Sequence, residues 1–467
     1  MITLMTPLHL AAIFCPGREA VVADGQRLSY RAFYRQSHRL ACWLLAEYHL
    51  RPGQTVGVLC RTHLLVAHLL PALSRLGVNV RLINTDIPAQ QLVSLLDDRY
   101  SLLVYDAELQ ARCLPAKVPC PTVRSEELNA CLTRETEASV RLPLFPKIAS
   151  LSVFTGGSGG RYKEVSRTTG AWQFLPPFYA LLRDVGIHRH KSVLISLPFY
   201  HGFGLATFIV SMLLGKKICL LPKFDEQRAL QIIREEQVEV LPVVPAMLSR
   251  IWQLPEAKAS LSSLRCILSG GDRLSLKLAR QTLDGLGPIL YNLFGTSEAG
   301  FFLLAKPQDL TAEGIIGRPI CGVRCDLRDI DSNGVGALWV QSGWAMAGQQ
   351  NRWQCTGDLV SRDENGCFCY HGRADRMVVC GGENVSLDHV EQVLLSHPSV
   401  ANARAYPVSH PDFGQVINAQ IEPMAGVGSL PEEELHLWLS SRLSRAEVPH
   451  RVTFGSLEIL STGKRRI

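Results

Sequence analysis

"FTGGSGGRYKEV", residues Phe154 to Val165, gathers four glycines, the hydroxyls of Thr155 and Ser158, and one lysine into twelve positions. A loop of this make-up aims several backbone N–H groups at one point and sets an ammonium beside them, so it suits phosphate oxygens. The P-loop of ATPases needs a lysine followed directly by Ser or Thr. Here Lys163 is followed by Glu164, which excludes that class and leaves open what kind of phosphate loop this is.

Working outward, 467 residues exceed what one compact core normally organises, so two or more domains are expected. With 47% hydrophobic and 19% charged residues the chain reads as an ordinary globular protein. A net charge of +6, without a basic run interleaved with aromatics, suits a small polyanion and argues against nucleic acid. The fourteen cysteines are scattered and form no CxxC pair, which reads as free thiols in a reducing compartment. "MITLMTPLHLAA" lacks a basic start and a cleavage site, so a cytoplasmic location is expected. Cys367, Cys369 and His371 alternate as in a strand, with no second ligand pair nearby, and read as structural.

Residues 193–215, "VLISLPFYHGFGLATFIVSMLLG", imitate a membrane span in length. Pro198, His201, Gly202 and Gly204 divide the stretch into a buried strand from Val193 to Leu197, a turn, and a core helix from about Leu205 to Leu214. No membrane span is expected.

Before the glycine loop, "SYRAFYRQSHRLACWLLAEY", "TVGVLC", "LVAHLLPALSRLG" and "LLVYD" alternate helical and strand patterns. The alternation resumes with "QRALQIIREEQ", "VEVLPVVP" and "LRCILSGGD". Such a sequence predicts an α/β fold with a largely parallel sheet. "GVRCDLRDIDSNGVGALWVQ" changes to short strands with Asp, Asn and Gly turns, a small antiparallel, barrel-like region. At "GRADRMVVCGGENVSLDHVEQVLLSHPSV" a charged turn leads to a strand, a Gly-Gly turn and an amphipathic helix. The expectation is a large domain over residues 1–373 and a small, mobile α+β domain over 374–467, with a short hinge at Asp375.

Set in order, the motifs resemble those of the adenylate-forming superfamily of acyl-CoA synthetases, luciferases and adenylation domains. "FTGGSGGRYKEV" is similar to TSGTTGxPKGV, "LPFYHGFGL" to LPxFHxxG, and "YNLFGTSEAG" to the YGxTE segment. "CTGDLV" carries TGD, and "GRADRMVVCGGENVSLDHVE" is similar to GRxDDMIVSGGENVxPxEVE almost residue for residue. "LEILSTGKRR" resembles LPRNxTGKxxR, and the likeness runs from about Leu28 to the last residue. "VRLINTDIPAQQL" and "HPDFGQ" look most like the fatty-acyl branch, so fatty acid metabolism is expected.

The resemblance implies an acid–thiol ligase. A carboxylate attacks the α-phosphate of ATP, giving an acyl-adenylate and pyrophosphate, and a thiol then displaces AMP. Thr155, Gly156, Gly157, Ser158, Gly159, Gly160 and Lys163 are implied to hold phosphates, and Glu298 to bind Mg²⁺ as a hard oxygen ligand. Gly270, Gly271, Asp272, Asn292, Phe294, Gly295, Thr296 and Ser297 are implied around the nucleotide, with Phe294 against adenine and Asn292 at its edge. Asp358, beside Arg373, would accept hydrogen bonds from the ribose hydroxyls. His201 borders the acyl site, with Phe203, Gly204, Thr207 and Gly295 as pocket walls. No Asp follows His201 to pair an α-amine, so an apolar acid, a fatty acid first, is expected over an amino acid.

Lys464 is the implied catalytic lysine: an ammonium reaching the charge that builds in the transition state stabilises it selectively. Taken alone, "STGKRRI" reads as a solvated basic tail. Gly381 and Gly382 would flank the path of the thiol, which belongs to coenzyme A or to a carrier-protein phosphopantetheine. A monomer or homodimer is expected. The loop departs from the family pattern: Gly156 stands for Ser, Gly159 for Thr, Tyr162 for Pro and Glu164 for Gly. An added carboxylate there would repel a triphosphate if desolvated beside it, and would not if Glu164 points outward. A degenerate nucleotide-binding protein is the reading from another class, and the joint presence of Lys163, Glu298, Asp358, Arg373 and Lys464 argues against it.

Overall fold

The computed structural model describes residues 3–23, 25–87, 89–114, 118–133, 142, 149–156, 162–168, 171–380, 383–410, 414–424 and 431–457. The chain divides into two compact units. Unit 1 comprises Met1–Pro242, Ser263–Cys266 and Gly343–Gln350; unit 2 comprises Val243–Ser262, Ile267–Ser342 and Asn351–Ile467.

Unit 1 holds a six-stranded sheet ordered Thr122–Arg124, Tyr100–Tyr105, Thr55–Leu59, Asn79–Leu82, Ser150–Gly156, Tyr162–Thr168. All neighbours are parallel except the last pair, an antiparallel hairpin that carries the glycine loop at its end. Parallel strands need helical crossovers and are covered on both faces. The helix Leu64–Leu76 is one such crossover, between Thr55–Leu59 and Asn79–Leu82, and Tyr30–Tyr48 packs against it, started by Ser29, whose hydroxyl accepts from the amide of Ala32. A second set of unit 1 strands places Ser192–Ile195 parallel to Lys217–Leu220, with Glu19–Ala23 and Gln26–Ser29 beyond it.

The apolar stretch is a strand, Ser192–Ile195, followed by a helix, Gly202–Leu213. Among the described residues no helix is long and apolar enough to cross a membrane. The helix starts three residues before the position expected, because His201 takes the extended cap conformation and helical geometry begins at Gly202.

The strand Cys266–Gly270, in unit 2 from Ile267 onward, runs parallel to Leu290–Thr296, and a hairpin joins the latter to Gly300–Ala305. Antiparallel pairing continues through Ile315–Pro319, Phe368–Arg373, Gln354–Arg362, Gly336–Ser342 and Val323–Arg328. This is the antiparallel region expected from the Asp, Asn and Gly punctuation. The C-terminal part packs the helices Leu387–Ser396 and Glu432–Ser440 on the sheet Val400–His410, Gly414–Pro423, Arg451–Phe454. Its core is Val385, Val390, Leu394, Ala403, Ala405, Ile417, Ala419, Ile421 and Leu435. One strand was not expected: Glu383–Ser386 pairs with Met377–Cys380 before Ser386 caps the helix. The fold is mixed α/β, with a large sheet-based N-terminal part and a small C-terminal one.

Candidate active site

In unit 1 the hairpin register sets Thr155 opposite Lys163 and Phe154 opposite Glu164. Gly157, Ser158, Gly159 and Gly160 lie outside the described residues, as do Gly381, Gly382 and Lys464. Glu164, the carboxylate expected to repel phosphate, is engaged from Asn79–Leu82, the strand on the far side of its hairpin partner Ser150–Gly156. Arg81 Nη2 stands 3.0 Å from its Oε2, and Arg81 Nε donates to Oε1 at 3.1 Å. A two-point guanidinium contact compensates the charge without disturbing the hairpin.

His201 is half-buried at the start of the Gly202–Leu213 helix, its ring 4.9 Å from that of Tyr200. The segment before it is fastened by side chains from the loops that follow two strands of the six-stranded sheet, Thr55–Leu59 and Asn79–Leu82. Thr62 Oγ1 accepts from the amide of Phe199 at 2.9 Å, and Thr85 Oγ1 meets Tyr200 Oη at 3.0 Å. Gly204 sits where a Cβ would come within 2.5 Å of the Pro198 carbonyl oxygen and 2.6 Å of that of Leu197. Only glycine lets the helix approach that backbone. Phe203 and Thr207 are half-buried on the same helix, Thr207 donating to the Phe203 carbonyl at 2.9 Å.

Unit 2 brings the implied nucleotide residues together on adjoining strands. Asn292 and Phe294 lie on Leu290–Thr296; Ser297 and Glu298 form the turn into Gly300–Ala305, where Thr296 Oγ1 accepts from the amide of Ala299 at 3.0 Å. Asn292 is buried, donates to the Ile315 carbonyl, and its Oδ1 has no partner among the described residues. Gly295 is packed so tightly that a Cβ would meet the Gly300 carbonyl oxygen at 2.3 Å. The ring of Phe294 meets Phe302 edge-on at 5.7 Å and lies 6.1 Å from Tyr370. Gly270 ends its strand, Gly271 turns with φ +83°, and exposed Asp272 caps the amide of Arg273 at 2.7 Å.

Asp358 and Arg373 are direct cross-strand partners, with Arg373 Nη1 3.3 Å from Asp358 Oδ1. Asp358 is only 4% exposed. Burial pushes its carboxyl up to about 6, and the nearby guanidinium only partly offsets this. Arg373 also forks onto Asp375, at 2.8 and 3.1 Å, inside a single turn of helix, Ala374–Arg376.

A node that the sequence reading missed centres on Asp388. Its Oδ2 accepts from the amide of Arg373 at 2.8 Å and from Tyr370 Oη at 3.2 Å, and Arg376 binds both Asp388 and Glu391. Arg273 donates to the Asp388 carbonyl at 3.1 Å, and Lys277 Nζ reaches the carbonyls of His397, Pro398 and Val400 at 3.3, 3.0 and 3.3 Å. Arg376 and Asp388 lie twelve residues apart within the "GRADR…SLDHVE" stretch, so the signal was a charge pattern inside a motif already noted.

The model for AMP-binding enzymes matches residues 11–348, and the model for their C-terminal domain matches 389–464. The chain belongs to the AMP-binding enzyme family. The 2-succinylbenzoate–CoA ligases of Bacillus cereus and Bacillus thuringiensis are 27% and 26% identical to it, over 97% of this chain and 95% of theirs. Two solved structures share the fold. One is o-succinylbenzoate CoA synthetase from Bacillus subtilis with its acyl-adenylate intermediate (TM-score 0.81, 24% identity, 98% of this chain and 96% of that one). The other is an anthranilate CoA ligase with anthranoyl-AMP (TM-score 0.86, 18% identity, 99% and 95%). As an AMP-binding enzyme it is an ATP-dependent, AMP-forming acid–thiol ligase, and ATP, Mg²⁺ and coenzyme A are the usual partners of the family.

The residues present fit a bound nucleotide. Among the described residues Asn292 Oδ1 is a buried acceptor without a donor, and Asp358 is a buried carboxyl whose ionisation is disfavoured until donors approach it. The family's metal ion would neutralise phosphate charge, and Glu298, a half-buried carboxylate on a turn, has the hard-oxygen chemistry to hold it.

Proposed function

We propose that this ligase activates an aryl or other apolar carboxylic acid and transfers it to coenzyme A. The observation that carries the nucleotide half is Asp358, a buried carboxyl held opposite Arg373, with the acceptor chemistry that a ribose diol requires. Asn292 Oδ1 would take a donor from the base. Lys163, on the hairpin arm next to the glycine loop, would meet the β- and γ-phosphates, and Glu298 would share the metal with them. Lys464 would approach the α-phosphate and the attacking carboxylate.

For the acid, the segment around His201 offers apolar walls and no carboxylate to receive an α-amine, and burying an unpaired ammonium is costly. The relatives of similar length act on 2-succinylbenzoate rather than on a fatty acid. That favours an aromatic acid over the fatty acid that "VRLINTDIPAQQL" suggested. Residues 1–373 would form the body and 374–467 a domain that turns about Asp375 between the two half-reactions.

The test is acid-dependent exchange of labelled pyrophosphate into ATP. The panel holds 2-succinylbenzoate, simple aryl acids, medium and long fatty acids and amino acids, each also assayed for thioester with coenzyme A. Exchange with an aryl acid, followed by thioester formation, is expected. Formation of ADP, or no exchange with any acid, overturns the ligase; preference for an α-amino acid over its deaminated analogue overturns the acid class.

A further inference from the structure

Unit 1 contains a second set of chemically able side chains, none of them among the residues assigned above. Cys60 directly follows the strand Thr55–Leu59, and Asp106 directly follows its parallel neighbour Tyr100–Tyr105, with Leu59 in register with Tyr105. Both therefore emerge at the carboxyl end of the sheet. His63 joins them as the cap residue of the helix Leu64–Leu76. A cysteine sulfur, a histidine ring nitrogen and a carboxylate oxygen from these three all lie within 4.8 Å of one another.

The carboxylate is held in place before any ligand arrives. Asp106 Oδ2 accepts from the amide of Arg61 at 2.7 Å, and Oδ1 accepts from Ser125 Oγ at 2.7 Å and faces His63 Nε2 at 2.8 Å. Cys60 and Asp106 are each 5% exposed. A cavity of about 540 Å³ opens beside them, lined by His63, Asp106, Glu108, Ser125 and Glu126 among others. A cation can thus reach two of the three donors from solvent, past the carboxylate of Glu126 and that of Glu108, which is paired with Arg61.

We propose that Cys60, His63 and Asp106 bind a divalent zinc-class cation, with water from the cavity in the fourth position. Thiolate, imidazole and carboxylate together suit a borderline-soft tetrahedral ion rather than Mg²⁺. With bonds of about 2.3 Å to sulfur and about 2.0 Å to nitrogen and oxygen, tetrahedral donors stand roughly 3.3–3.7 Å apart. The set reaches that spacing when the His63–Asp106 contact opens by about half an ångström and the sulfur draws in. Binding converts the Cys60 thiol to a thiolate, and its proton leaves to solvent. The ion also fixes Thr62, which lies between two of its ligands and holds the amide of Phe199. Occupancy therefore stiffens the segment that leads to His201.

The full chain, stripped with a chelator, is titrated with Co²⁺ as the spectroscopic probe. One equivalent should bind with a thiolate-to-cobalt band in the near ultraviolet, displaced by Zn²⁺ and not by Mg²⁺. Cys60→Ser should lose the band, and His63→Gln should weaken uptake by at least about tenfold. Zn²⁺ should raise the unfolding midpoint of the parent protein and of neither variant. No band in the parent, or a band that survives Cys60→Ser, overturns the proposal. Should Cys60→Ser fail to fold, His63→Gln decides: uptake equal to the parent's leaves a His–Asp clamp between two turns and no metal site.

Discussion

Replacing Asp358 by Asn should make the nucleotide-free protein more stable at neutral pH. Burial moves this carboxyl from its ordinary 3.8 to about 6. Each pH unit of such a displacement is worth 1.36 kcal/mol, so the gap amounts to about 3 kcal/mol against the charged form in the folded state. With 4% of the residue exposed, solvent does little to screen this cost. The sign follows from proton binding. Below pH 3.8 the carboxyl is neutral in both folded and unfolded chains, and nothing is lost. Between 3.8 and about 6 the unfolded chain ionises first, so stability falls as pH rises, and above about 6 the loss is complete. Asparagine reproduces the neutral acid in shape and does not titrate. Denaturation midpoints of the parent and Asp358→Asn should coincide near pH 4 and separate by up to about 3 kcal/mol in favour of the variant by pH 7.5. ATP should bind the variant more weakly, since an amide offers one acceptor oxygen where the carboxylate offers two. A gap that stays constant across that pH range would refute the reasoning, and so would a variant less stable at pH 7.5.

Three other outcomes are expected. Gly295→Ala forces a Cβ against the Gly300 carbonyl oxygen at 2.3 Å and Phe301 Cα at 2.8 Å; rigid backbone on both sides makes a loss of about 3 kcal/mol the expectation, read from urea midpoints. Arg81→Ala leaves Glu164 uncompensated beside Lys163 and should raise KM for ATP by about 5–30-fold, the equivalent of 1–2 kcal/mol. Arg81→Ala combined with Glu164→Ala should restore it, and an unchanged KM in the single variant would place the carboxylate away from the phosphates. Lys464→Ala should cut adenylate formation by about 10²–10³ or more while sparing conversion of supplied acyl-adenylate to thioester. Equal damage to both half-reactions would deny it a selective role.

The alternation of apolar runs in the first half was enough to read the parallel sheet, because buried strands and crossover helices differ in period. The antiparallel region was equally legible from its polar turns. What escaped was local. Glu383–Ser386 is four residues long and abuts a helix cap, so its pattern merged with the helix that follows. Glu164 read as a repulsive departure because its partner, Arg81, lies 83 residues earlier on another strand. The Asp388 node, likewise, is spread over four chain segments. Cys60, His63 and Asp106 went unnoticed in the sequence because the register of two strands, not spacing along the chain, brings Asp106 to the other two. Pattern within a segment survives reading in one dimension; pairing between segments does not.

Gly204 bears on how this enzyme could be retailored. The atoms that a side chain there would strike are the carbonyl oxygens of Leu197 and Pro198, main chain fixed in turn through Thr62. No repacking of neighbours can make room, so a library built at this position would return misfolded protein rather than altered selectivity. Phe203 and Thr207 occupy the same helix with half-open surroundings and side chains free to be exchanged. If the segment around His201 lines the acid site, as proposed, trimming Phe203 to leucine or alanine and enlarging Thr207 are the changes by which a designer would redraw the list of acids the enzyme takes.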